Sequence, residues 1–341
     1  QINAILGNDI HFMEDDTKTS SVQWTPIGYT DSTVFDGIFD GAGYAVYGLY
    51  CPEGALFGFT GKNFVLRNIS LLQSDLVTWV AFNYGLVENS TEENDGARQI
   101  SGLVYSNYGT IRNCVSKNFG ISFYNTADGL IENCLSQGYA GRYSASFRET
   151  YNTFSSVSSG TAFGGIVSSN RGTIKNCSVE HRSGDVLPGY TLGGIAMEAN
   201  SGGIITGCSF RGVLAVNPPS TGWVRTAGIA AYFNGGEISN TAAYVDSVVV
   251  AGSSNRHYIG GIIGDGWQNS STTPNAGTIR NSYAKISLSH NSKTEMYLGG
   301  LAGTTSNTLI ENSHAELRIG TGVTAPSGDD TSYVGGLVGY L

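Results

Sequence analysis

The chain has 341 residues, of which 48 are glycine and only 13% are charged, and its formal charge is −9. Glycine is about twice its usual share of roughly 7% and charge about half its usual quarter, a composition that excludes long solvent-facing helices and favours turns and strands. No cluster of Lys and Arg offsets the negative charge, so the electrostatic drive for nucleic acid is missing, and no run of roughly 18 apolar residues spans a membrane.

The first fifty residues carry strand and turn signals in Trp24-Thr25-Pro26-Ile27-Gly28 and in Phe35 to Gly43. They lack the phrase that organises the rest, and residues 1–50 are expected to form an N-terminal β cap and lead-in that covers the open end of the repeat array. From Leu66 an aliphatic residue, a variable residue and asparagine recur in order, at Leu66-Arg67-Asn68, Val87-Glu88-Asn89, Ile111-Arg112-Asn113, Ile131-Glu132-Asn133, Ile174-Lys175-Asn176, Ile238-Ser239-Asn240, Ile279-Arg280-Asn281 and Ile310-Glu311-Asn312. A ninth copy, Ile205-Thr206-Gly207, replaces the asparagine with glycine. Consecutive copies lie 21, 24, 20, 43, 31, 33, 41 and 31 residues apart. The short spacings suit one coil of a parallel β-helix, and the long ones suit a coil plus an insertion. Residues 51–341 therefore read as one all-β repeat domain, a parallel β-helix of right hand by the rule for parallel crossovers, with its last coil incomplete and the natural chain expected to continue past Leu341.

Between these copies stands a second phrase, rich in glycine, as in Phe163-Gly164-Gly165-Ile166, Ile259-Gly260-Gly261-Ile262 and Leu298-Gly299-Gly300-Leu301. Paired glycines there permit close approach of backbone to backbone, or a tight bend. In the first phrase, strand alternation places the aliphatic residue inside and the variable residue outside. Arg67, Glu88, Arg112, Glu132 and Lys175 alternate in sign, so stacked rungs predict a structural charge ladder. The recurring asparagine has two physical accounts: a stack of side-chain amides along the axis, or tolerance of a left-handed corner, which Gly207 would share. Cys114, Cys134, Cys177 and Cys208 each follow this corner, in a slot that holds Ser or Thr elsewhere, and read as buried thiols.

The fixed order of these phrases, with the Trp24 and Phe35 lead-in and the closest copy at Val334-Gly335-Gly336-Leu337-Val338-Gly339, resembles bacterial GLUG-motif repeat proteins. The resemblance covers nearly the whole chain from about Trp24. It implies a secreted or cell-surface bacterial protein, adhesin-like or immunoglobulin-A-protease-like, and it implies no catalytic residues.

The expected function is non-enzymatic: loops held on a β-helical scaffold that bind a glycan or a host extracellular protein. Insertions run from Arg142 to Gly160, His181 to Tyr190, Asn217 to Arg225, Asp265 to Ala276 and Thr321 to Ser332. Trp223, Trp267 and Tyr190 lie in or beside them and are the candidate ligand-binding residues, because aromatic rings suit sugar faces and protein contacts. The alternatives are a structural spacer in a larger surface protein, or a polysaccharide lyase or glycoside hydrolase, which would need paired carboxylates. No cofactor is expected. His11, His181, His257, His290 and His314 occupy unrelated repeat positions, and the acidic runs lack ordered calcium spacing, so no metal is expected either.

Overall fold

The computed structural model describes residues 3–12, 23–93, 102–139, 162–181, 186–187, 189–218, 222–250, 256–266, 276–290, 295–321 and 332–341. The described residues contain strands and no helix, and every named strand pairing is parallel to its neighbour one coil away. Strands stack into sheets of eleven, eleven, ten and six members. The architecture is a parallel β-helix.

Sheet I holds the asparagine phrases and runs from Ala4–Ile5 through Val65–Arg67 to Thr308–Glu311. Its inward column, from Leu66, Val87, Ile111, Ile131, Ile174 and Ile205 to Ile238 and Ile279, is wholly buried. Each coil fills the core of the next, which is why none is stable alone. Sheet II follows the corner and runs from Ile10–His11 to His314–Ile319, and sheet III runs from Tyr50–Phe59 to Val338–Tyr340. Among the described residues, sheet IV runs from Ala162–Gly164 to Ser332–Gly335.

At the corner between sheets I and II the backbone is left-handed. Asn68, Asn89, Asn113, Asn133, Asn176, Asn240, Asn281 and Asn312 have φ between 47° and 54°, and Gly207 takes the same corner at 64°. The conformational account holds, and part of the amide account holds with it. Asn89 Nδ2 donates to Asn68 Oδ1 at 3.4 Å, Asn113 to Asn89 at 3.3 Å, and Asn133 to Asn113 at 3.4 Å. A second, buried amide ladder runs inside the turn that follows sheet III. There Asn83 donates to Asn107 at 2.8 Å, Asn107 to Asn125 at 2.9 Å and Asn125 to Asn170 at 2.9 Å.

The variable residues stack in register, Arg67 on Glu88, Glu88 on Arg112, Arg112 on Glu132 and Glu132 on Lys175. Arg112 pairs with Glu88 at 2.7 Å, and Arg67 pairs with Asp40 at 2.8 Å. Asp40 extends the alternation one coil earlier, at a place where no asparagine phrase marks it. Ile38–Asp40 and Ala45–Tyr47 pair with the strands of the repeats, so the lead-in contributes coils to the same sheets. Ile27 then bridges to Phe57 of the strand Tyr50–Phe59, and Phe35 to Thr60 just beyond it. All five cysteines are buried and free.

Candidate functional site

The glycine pairs are the crease of the molecule. Each joins a strand of sheet IV to one of sheet III, as Arg256–Gly260 leads through Gly261 and Ile262 to Ile263–Gly266. A Cβ on Gly260 would collide with the Ile263 carbonyl oxygen and the Gly303 amide, so only glycine lets the chain fold back here. Side chains of the two sheets thereby meet along the crease.

The columns along each sheet are set by strand register. On sheet IV, Thr191, Arg225, Tyr258, Tyr297 and Tyr333 stack in consecutive coils, and Trp223, Arg256 and Glu295 stack beside them. On sheet III the facing column is Ser169, Glu198, Tyr232, Asp265, Thr304 and Tyr340. Tyr258 lies on Tyr297 and Tyr297 on Tyr333 as stacked rings, both with centroids 5.0 Å apart.

One ion pair ties the two sheets together, and a second joins neighbouring coils of sheet IV. Arg225 Nε donates to Asp265 Oδ2 at 2.7 Å across the crease, and its guanidinium lies 5.5–5.7 Å from the ring centroids of Trp223, Tyr232 and Tyr258. Asp265, 3% exposed, also accepts from Thr304 Oγ1 at 2.8 Å. Arg256 Nε donates to Glu295 Oε2 at 2.5 Å while its guanidinium sits 5.5 Å from the Trp223 ring, and Tyr297 donates its hydroxyl to Glu295 Oε1 at 2.5 Å. Burial, and then the neighbouring Glu295 carboxylate, raises the Tyr297 phenol well above its ordinary value. Burial also raises Tyr258 and Tyr232. These hydroxyls stay protonated at ordinary pH, and that of Tyr297 is engaged by Glu295.

Trp223 is 44% exposed at the rim of this crease. It is not a loop residue as expected: it opens the strand Trp223–Ala227, held in register with Arg256–Gly260. The insertion therefore ends earlier than residue spacing suggests, because the sheet IV strand extends ahead of its glycine phrase. Tyr190 is half-buried against the core, its ring beside Gly222 and its carbonyl accepting from the Arg225 amide at 2.7 Å. Its part is to support the strand that carries Trp223. Trp267 lies outside the described residues, two positions after Asp265. The ladder residues Arg67, Glu88, Arg112, Glu132 and Lys175 belong to sheet I and do not enter the crease.

No motif singles out Arg225, Tyr232, Tyr258, Asp265, Glu295 or Tyr297, yet one signal is present. Tyr258-Ile259-Gly260, Tyr297-Leu298-Gly299 and Tyr333-Val334-Gly335 repeat tyrosine, aliphatic, glycine, and alternation turns that tyrosine outward. Asp265 has no such signal, because its partnership with Arg225 links residues 40 apart in sequence.

Among the described residues no group of three or more His, Cys, Asp or Glu is placed to hold a metal ion, and no helix is long and apolar enough to cross a membrane. No family model matches the chain, and no curated protein matches it at a significant level.

Proposed function

We propose that this chain is a non-enzymatic binding segment of an exported, adhesin-like bacterial surface protein, and that it engages a glycan or a host extracellular protein through the crease between sheets III and IV. One observation carries the reading. Trp223, Arg225, Tyr232, Tyr258 and Asp265 converge from strands of two sheets into one outward cluster of aromatic and polar groups. Such convergence on rigid strands is what a recognition surface requires, and aromatic and arginine side chains dominate binding energy at interfaces. The order of the glycine and asparagine phrases supports a GLUG-like, exported origin.

Binding is favoured over bond cleavage because two of the three carboxylates in the described columns of the crease, Asp265 and Glu295, are each held by an arginine, which leaves Glu198 where a glycoside hydrolase works with a pair. The test is a screen of the purified chain against glycans and extracellular proteins, run beside Trp223→Ala and Arg256→Gln. A genuine ligand should lose about tenfold or more in affinity with Trp223→Ala. Shortening of a polysaccharide during incubation would instead establish an enzyme, and a set of ligands indifferent to both variants would remove the crease from the function.

A further inference from the structure

We infer that the outer face of sheet I is a self-association surface, on which two copies of this chain pack face to face with their solenoid axes antiparallel. Strand alternation gives this face two outward columns. In the first, Ile38, Val65, Leu86, Thr110, Leu130 and Thr173 stack in register over six consecutive coils. Each is only half-buried, so a continuous strip of aliphatic side chains and threonine methyls is left on the outside of the sheet. In the second column the same six coils carry Asp40, Arg67, Glu88, Arg112, Glu132 and Lys175, alternating in sign without a break. Thr206 and Ser239 then end the series.

The choice of partner follows from symmetry. A two-fold interface must be complementary to itself. With the two-fold axis in the plane of contact and perpendicular to the solenoid, each column meets its own counterpart in reverse order. Asp40 then meets Lys175, Arg67 meets Glu132 and Glu88 meets Arg112, each contact occurring twice, and every meeting joins opposite signs. A slip of one coil sets like charge against like throughout, so the register is specified. A two-fold axis parallel to the solenoid would lay the apolar strip on charges instead. The chosen operation lays Ile38 on Thr173, Val65 on Leu130 and Leu86 on Thr110. The ion pairs within the chain leave capacity for this, since the Arg67 and Arg112 side chains stay 40% and 42% exposed and a guanidinium has more donors than one carboxylate occupies. Two residues ahead of Leu86 and Thr110, in the two central coils, the rings of Tyr84 and Tyr108 stack at 4.5 Å, with Tyr84 39% exposed. Aromatic residues are enriched at the centres of interfaces. Six coils at a rise of about 4.8 Å cover roughly 500 Å² per copy, which lies at the small end for specific interfaces and sets a weak, reversible dimer.

The experiment is analytical ultracentrifugation of the whole chain from about 1 μM to about 1 mM, at low and high salt. The natural chain should dimerise with a dissociation constant on the order of 0.1 mM, and more weakly as salt screens the facing charges. Arg67→Glu and Glu132→Lys should each weaken the dimer by about tenfold, because either one sets like charges together at two symmetry-related contacts. An equimolar mixture of these two variants should recover the natural affinity, since each substituted side chain then faces its opposite. Recovery on mixing cannot come from a change confined to one copy. Leu130→Gln leaves every charge in place and reads the apolar strip independently, while Lys285→Gln on the outer face of sheet II should change nothing. Circular dichroism verifies each fold. A chain that stays monomeric across the whole range would overturn the inference, and so would self-association indifferent to all three sheet I variants. A mixture of folded charge variants no better associated than either alone would overturn the antiparallel arrangement.

Discussion

Asparagine at the corner shows how one residue type meets two demands. A left-handed φ costs most residues about 1–2 kcal/mol, and asparagine is among the few that visit it routinely. Asn113→Ala should therefore lower stability by roughly that amount, whereas Asn113→Gly should cost little beyond its side-chain contacts, as the glycine at position 207 shows for another corner of the same column. Urea unfolding of the two variants checks this, and equal losses would place the weight on the amide stack instead. His257 makes a pH-dependent contribution. It is fully buried in the strand Arg256–Gly260, and burial depresses its pKa from 6.5 to about 4. Between these values the unfolded chain holds the proton and the folded chain does not, so stability falls as pH drops from 6.5 towards 4 and levels below. The full effect is about 3 kcal/mol. Unfolding midpoints at pH 7 and pH 4.5 should differ more for the natural chain than for His257→Gln.

At the scale of the element, the charge ladder of sheet I depends on register. Arg112 lies between Glu88 and Glu132 on neighbouring strands. Arg112→Glu would line up three carboxylates, and like charges on adjacent strands cost up to about 1 kcal/mol per contact. The expected loss is about 1–2 kcal/mol, smaller in high salt because these side chains are partly exposed. A salt-independent loss would show that packing of the arginine stem, rather than its charge, is what the position supplies. The crease is stricter. Gly260→Ala has no room for its methyl group against the Ile263 carbonyl, and it should destabilise by more than the about 1 kcal/mol typical of point substitutions. Thermal unfolding of that variant measures it.

Across the whole molecule the parallel stack, the corner asparagines and the ladder are legible in the sequence, because each repeats at a fixed place in the coil. Periodicity is what a sequence displays best. The binding crease is less legible: Tyr258 and Tyr297 carry a periodic signal, but Arg225 and Asp265 meet only through the fold back at the glycine phrase. Trp223 is recognisable by residue type, yet its place on a strand rather than a loop is not, since the first residues of that strand precede the glycine phrase and carry no repeated pattern of their own. Asp40 escapes notice for a similar reason, its coil having Gly41 where later coils have asparagine. Because every coil packs on the next, Ile174→Ala should cost about 2–5 kcal/mol and lower hydrogen-exchange protection most in the adjoining coils, fading with distance along the axis. Uniform loss from end to end would mean that the stack opens as one unit.

The cysteine column gives the molecule a built-in clock. Cys114, Cys134, Cys177 and Cys208 are no more than 2% exposed, and burial pushes the Cys51 thiol up to about 11. A thiol in that setting reacts only when its own coil has come apart. The rate at which a soluble thiol reagent labels each cysteine is then a stopwatch for the opening of one known coil, read by mass spectrometry without introducing any further cysteine.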